Sequence, residues 1–383
     1  MRYTTAGESH GRALTALVTG VPAGIPLLAE EIDRDLARRQ QGYGRGGRQS
    51  IETDRVTILS GVRFGSTIGS PIALAVTNRD WDNWTDVMSP SGAKPSGIRE
   101  THPRPGHADL AGVLKTGSND TRDILERASA RETAARVAAG GVAKALLRAL
   151  GVEVRSFVSS IGAVSLPSVA DPALVDHEMV EMSGVRCPDP ETSEAMKREI
   201  DAARADGESL GGTFYVTAVG LVPGLGGYAE AGQKLDAKLA AAVMSIPAIK
   251  GFEVGDGFRL AGVRGSEAHD PIHHTAGEGF TRPTNHAGGL EGGMTNGEPV
   301  FMRAAMKPIP TLMRPLASVD LDTLEPVDAS KERSDVCAVP AAAVVAEAEV
   351  AMVLAEAYLD KFGHDALGDI TAARDAYLAR IAR

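Results

Sequence analysis

Cysteine is almost missing from this chain: there are two in 383 residues, Cys187 and Cys337, far apart and in no CxxC or Cys/His zinc spacing. That excludes a disulfide scaffold and a structural zinc site, and no metal ligand set is expected. Aromatic residues make up only 4%, too few for extensive base stacking on aromatic platforms. Long apolar runs are missing too; the longest, near Ala338–Ala346, is well short of the ~20 residues of a membrane span. The opening MRYTTAGESHGRA lacks the apolar segment of a secretory signal, so the expected location is the cytoplasm. Positive charge is not in excess. Forty basic against fifty acidic residues leave a formal charge of −10, which disfavours general binding to polyanions such as nucleic acid but leaves room for a local basic pocket. No Walker A loop occurs, which disfavours an NTPase.

Apolar residues, at 43%, are numerous enough for a sizeable core. Glycine is abundant: 43 residues, about 11% against a usual figure of about 7%, which points to tight turns and to backbone lying against a ligand. Glycine and proline are spread throughout, with no internal repeat or low-complexity linker. Residues 1–383 therefore read as one intertwined domain. The patterns predict helices over Glu30–Gln41, from a Ser129-x-x-Glu132 capping box to Leu150, over Leu235–Met244 and over Pro340–Phe362. Strands are predicted at Ala13–Val18, Val56–Leu59, Ile72–Val76, Val152–Ile161, Phe214–Leu221 and Val300–Ala305. Clustered strands alternating with clustered helices argue for an α+β fold rather than a regular βαβ sheet.

Gly42-Tyr43-Gly44-Arg45-Gly46-Gly47 satisfies G-x-G-x-x-G, but a helix precedes it and a strand pattern follows. A dinucleotide fingerprint needs the reverse order, so the Rossmann reading is set aside. Arg38, Arg39, Arg45 and Arg48 surround these glycines. Guanidinium forks suit phosphate and carboxylate, and glycines let backbone N–H groups approach an oxyanion; the competing reading is a solvated basic face. Gly7-Glu8-Ser9-His10-Gly11 and Arg104-Pro105-Gly106-His107-Ala108-Asp109 each present a histidine in a rigid turn. An imidazole suits proton transfer, although either turn alone reads equally as ordinary surface. Ser129, between Arg127 and Arg131, opens a helix, either as an anion site or as a plain cap. Lys307-Pro308-Ile309-Pro310-Thr311 is a stiff segment that would make a wall for a planar ring or a plain connector, and Asp335 before the last helix is a base or a cap. His269, His273 and His274 lie in a glycine-rich loop and not on a helix that would give the i, i+4 geometry of zinc enzymes, so metal binding is not expected there. Together these features suit an anionic substrate undergoing proton transfer with loss of a leaving group.

Seven motifs carry a resemblance along almost the whole chain: GESHGRA at 7–13, GYGRGGR at 42–48, RPGHAD at 104–109, ERASARETAARVAAG at 126–140, NHAGGLEGGMTNG at 285–297, AAMKPIPT at 304–311 and RSDVCAVPA at 333–341. In this order they resemble the chorismate synthase family. The resemblance implies a β-α-β sandwich with helices between antiparallel sheets, assembled as a homotetramer. It implies that 5-enolpyruvylshikimate 3-phosphate, a small-molecule substrate, loses phosphate in a 1,4-anti elimination to give chorismate. Reduced FMN would be required without net redox change, with NADPH as a candidate reductant.

The same resemblance implies roles for residues. His10 would protonate the departing phosphate, His107 would stabilise the reduced flavin, and Asp335 would assist proton removal through the flavin. Ser9, His10, Arg39, Arg45, Arg48, Arg131 and Arg333 would hold the substrate, Arg39 and Arg45 being also implied in NADP binding. FMN contacts would come from Arg127, Ala128, Ser129, Pro247, Ala248, Gly292, Lys307, Pro308, Ile309, Pro310, Thr311 and Arg333. At Pro247 the family usually carries an amide residue, so one side-chain contact is expected to be lost there. Two other readings compete: a net flavin oxidoreductase driven by NADPH, and a non-catalytic anion- or RNA-binding module. The second is disfavoured by charge and by the scarcity of aromatics.

Overall fold

Leu14, Ala16 and Val18 are buried, and the residues between them are not, along the strand Ala13–Thr19. Ile72, Leu74 and Val76 repeat the alternation on the paired strand Ile72–Thr77. Period-two burial of this kind marks a sheet with one face on a core. The computed structural model describes residues 1–46, 53–276, 279–332 and 335–382. In it these strands belong to a four-stranded antiparallel sheet ordered Arg2–Ala6, Ala13–Thr19, Ile72–Thr77, Val56–Ile58. A five-stranded antiparallel sheet runs Ile249–Val254, Val300–Met306, Gly212–Val219, Glu153–Ile161, Val164–Ser165.

Helices fill the space between the two sheets. Thr133–Ala149 packs on the first sheet, Val339–Phe362 on the second, and the two pack on each other. Both are apolar nearly all round, as expected for helices buried on every side. The first is rich in alanine and glycine, which lets backbones come close. A Cβ at Gly140 would sit 2.3 Å from the Ala348 Cβ, and one at Gly141 would sit 2.8 Å from Ile32 on the helix Ala29–Gln40. Adjacent glycines thus seat two different helices. The sandwich expected from the family resemblance is the observed architecture. Among the described residues no helix is long and apolar enough to cross a membrane.

One charged cluster is sealed inside the helical layer. Glu347, with no exposed side-chain surface, accepts from Arg38 at 2.7 and 2.8 Å, Lys144 at 2.7 Å and Ser156 at 2.6 Å. Its carboxyl is held well below the usual range: burial opposes ionisation, but the cations of Arg38, Lys144 and Arg186 outweigh it. Arg38 is next in sequence to Arg39, so this network also fixes the helix end that carries Arg39 toward the cavity described below.

The Ser129 box is only half realised. Ser129 Oγ accepts from Arg131 N at 3.3 Å and caps a short 3₁₀ turn, Ala130–Glu132, rather than the α-helix, which begins at Thr133. Glu132 pairs with Arg136 at 2.8 Å instead of reaching back to the cap.

Candidate active site

The turn after the first strand is built to hold an unusual path. Gly7 has φ +110°, and a Cβ there would lie 2.4 Å from the Ala13 carbonyl. Asn78 Nδ2 donates to the carbonyls of Glu8, Ser9 and Gly11 at 3.2, 3.3 and 2.6 Å, and Ser9 N–H donates to the Glu126 carbonyl at 2.8 Å. The turn projects His10, whose Nδ1 lies 2.8 Å from Glu126 Oε1 and whose ring stacks on Trp84 with centroids 3.7 Å apart.

His107 is presented by a second turn, with Gly106 at φ +78°. Its Nδ1 contacts buried Asp109, which also accepts from Arg104 Nε at 2.8 Å. Burial would raise the Asp109 carboxyl, but hydrogen bonds from His107 and Arg104 and the Arg104 charge carry it well below the ordinary range. Arg104 reaches across to Thr311 Oγ1 at 3.2 Å, and Lys307 Nζ donates to the Gly106 carbonyl at 2.6 Å, tying this turn to the proline-rich segment.

The arginines are positioned by a carboxylate that no motif reading singled out. Asp54, fully buried, accepts from Arg131 Nη1 at 2.6 and 2.7 Å and lies 3.5 Å from Arg39 Nη1. Arg39 also donates to Thr133 Oγ1 and to the Ala130 carbonyl, each at 2.9 Å. Its pKa is lowered to about 9, first by burial and then by Arg131 and Arg45, with Asp54 opposing. Arg45 pairs with Asp335 at 2.8 Å, and its buried Nε has no hydrogen-bond partner among the described residues.

His10, Arg39, Arg45, His107, Arg131 and Asp335 line one cavity of about 690 Å³. That is within the usual range for a site that encloses a small molecule. Its polar lining includes Ser9, His10, Arg39, Arg45, Arg104, His107, Ser129, Arg131 and Asp335. Its apolar lining includes Pro247, Ala248, Ile309, Pro310, Ala338 and Ala342. Pro247 is a cavity residue, and Ala248 beside it takes a left-handed φ of +68° while its carbonyl accepts Lys307 N–H at 2.9 Å. Ala128, Lys307 and Thr311 of the expected set are also in the lining.

Five expected residues do not appear in the described lining. Arg48 and Arg333 lie outside the described residues. The Arg127 guanidinium turns away to brace the carbonyls of Gly7 and Thr5, both at 3.1 Å, and does not line the cavity. Gly292 is on a hairpin, Leu290–Thr295, tied by hydrogen bonds to Leu225 and Leu235, and this chain does not bring it to the cavity. Pro308 is likewise absent from the lining, although its neighbours on both sides are present.

Sequence reasoning missed Glu126, Trp84, Asp54, Asn78 and Arg104. Only two of them have a visible signal in the sequence: Glu126 opens the motif at 126–140 and Arg104 opens the one at 104–109.

A family model described as chorismate synthase matches residues 1–359. The chain is 56% identical over 384 residues to a curated chorismate synthase from Desulforudis audaxviator (strain MP104C), covering 100% of this chain and 98% of that one. It is 58% identical over 379 residues to one from Rubrobacter xylanophilus (strain DSM 9941 / JCM 11954 / NBRC 16129 / PRD-1), covering 99% and 97%. A crystal structure of a chorismate synthase matches with TM-score 0.82 and 43% identity, covering 100% of this chain and 98% of that one.

Proposed function

The chain belongs to the chorismate synthase family of lyases, and from that premise we propose that it converts 5-enolpyruvylshikimate 3-phosphate to chorismate by a 1,4-anti elimination in aromatic amino acid biosynthesis. The observation that carries the reading is convergence. His10, Arg39, Arg45, His107, Arg131 and Asp335 come from distant parts of the chain and line the same cavity. The proposed substrate brings a phosphate and two carboxylates. Charge-assisted pairs with fixed guanidinium forks offset the cost of taking those anions out of water.

Reduced FMN fits the site as well. A planar apolar ring suits the apolar lining of Pro247, Ala248, Ile309 and Pro310, and an anionic tail suits Ser129 and Lys307, which line the same cavity. When bound, reduced FMN would supply electron density that lowers the barrier to C–O cleavage, with no net redox change. The chain's own groups supply the rest. Arg39, Arg45 and Arg131 would fix the substrate's anions. His10 would donate a proton to a phosphate oxygen as the C–O bond breaks. Asp335 would serve on the side where the ring proton leaves, and the His107 pair with Asp109 would face the flavin. The reading extends to a homotetramer in the cytoplasm, with NADPH as a candidate reductant.

The test is anaerobic: protein, chemically reduced FMN and the enolpyruvyl phosphate, with phosphate and chorismate followed together. Equal formation of both is expected. Phosphate without chorismate, or no turnover, refutes the reading. A parallel anaerobic assay of NADPH oxidation decides whether the protein reduces its own flavin.

A further inference from the structure

We propose that Glu126 is the positioning carboxylate of His10, fixing which ring nitrogen transfers the proton. The inference deepens the acid role just given to His10 and rests on it.

Among the described residues, three contacts define the ring's place. Glu126 Oε1 lies 2.8 Å from His10 Nδ1, and Glu126 Oε2 accepts the His10 backbone N–H at 2.8 Å. One carboxylate therefore grips both the side chain and the backbone of the same residue, which sets the ring's rotation as well as its position. The third contact is a face: Trp84 stacks on the imidazole at an interplanar angle of 24°. Trp84 is itself held, its indole N–H donating to Asp80 Oδ2 at 3.0 Å and the Arg122 guanidinium lying 5.2 Å from its ring centroid. Arg122 closes the arrangement by donating to Glu126 Oε1 at 2.9 Å. The carboxylate is buried, and burial would favour its neutral form. Hydrogen bonding and charge from His10, with the Arg122 charge, hold it in the ionised range instead.

The chemistry follows from which nitrogen is engaged. Glu126 holds the proton on Nδ1, so the proton given to the substrate comes from Nε2. In that step the Nε2–H bond breaks and an O–H bond forms on the phosphate, which leaves with the electron pair of the cleaved C–O bond. The imidazolium becomes neutral imidazole with its remaining proton on Nδ1. That tautomer is the one a carboxylate at this place stabilises. Glu126 stays ionised throughout and touches no reacting atom.

The test is a double-mutant cycle of His10→Gln and Glu126→Gln in the anaerobic assay with reduced FMN. Glu126→Gln alone is expected to lower kcat at least about tenfold, up to the roughly 10⁴-fold loss known for amidation of a catalytic imidazole's orienting carboxylate, while KM changes less than about threefold. In the His10→Gln background the same substitution is expected to cost less than about twofold, because its effect passes through the imidazole. An equal loss in both backgrounds makes Glu126 structural and overturns the inference. A loss below about tenfold in His10→Gln itself removes the acid role, and the inference falls with it; that outcome is distinct because it appears in the single variant. Arg122→Met guards against misfolding of the glutamine variant. It leaves Glu126 in place but unanchored, and it should lower kcat more mildly and again only when His10 is present.

Discussion

Asp335 and Arg45 are paired at 2.8 Å, and the other oxygen of the same carboxylate accepts the Gly46 N–H at 2.6 Å. The candidate for proton removal and a candidate substrate clamp are thus joined before substrate arrives. An incoming anion competes with Asp335 for the guanidinium. Arg45→Ala should therefore raise KM for the phosphorylated substrate well over tenfold while the thermal midpoint moves little. Asp335→Asn should lower kcat and leave FMN affinity within a few-fold. Steady-state kinetics and flavin titration check both; loss of flavin binding in Asp335→Asn would show that the division of labour is wrong.

Arg39 is a buried cation whose charged form is disfavoured by desolvation and by Arg131 and Arg45. Below about pH 9 it is nevertheless protonated, so the free protein carries this cost and an anion relieves it. Inorganic phosphate should raise the thermal midpoint, in proportion to RT ln(1 + [L]/Kd), about 2.7 kcal/mol at a hundredfold excess over Kd. Arg39→Met should abolish most of that rise. Differential scanning fluorimetry across a phosphate series measures it; an undiminished rise in the variant would place the anion elsewhere.

Glu347 has its folded pKa below the 4.5 of a free glutamate. The sign is that of a depressed acid: its stabilisation is present above pH 4.5 and is lost as pH falls through the folded value. Removing one partner of a buried pair costs roughly 3–5 kcal/mol, so Glu347→Gln should lose about that much at pH 7, with a shallower acid limb than the parent. Urea unfolding at pH 7 and pH 4 gives both quantities, and parallel acid limbs would contradict the assignment.

Gly140 touches Ala348 across the two buried helices, and a new methyl group would meet backbone atoms at 2.6 and 3.0 Å besides the Ala348 Cβ. Since backbone cannot yield as a flexible side chain does, Gly140→Ala should destabilise by at least the ~1–3 kcal/mol of ordinary overpacking, despite alanine's better helix propensity. Chemical denaturation measures it; a stabilised variant would mean the helices sit further apart.

Legibility followed burial. Leu235, Leu239 and Val243 mark one face of their helix in the sequence and are all buried in the fold. The alternating strands were as plain. The helix Thr133–Ala149 could be placed only by its ends, since being covered on all sides leaves it no polar face. Pro190–Asp206 had a usable signal, Asp189 before a first-turn proline, that the sequence reading passed over. In the site, residues inside glycine-rich motifs were readable. The groups that hold them were not, because a buried Asp54 or Glu126 looks like any solvated carboxylate until the fold puts arginine and histidine beside it.

The chain has two tryptophans, Trp81 and Trp84, and both belong to the short stretch that carries the stacking partner of His10. Intrinsic emission is therefore a local optical probe rather than a gauge of the whole molecule. A ligand titration read at the indole wavelength monitors the cavity lining at Trp84, and a denaturation curve recorded that way reports when this region opens, which need not coincide with melting of the helical interior.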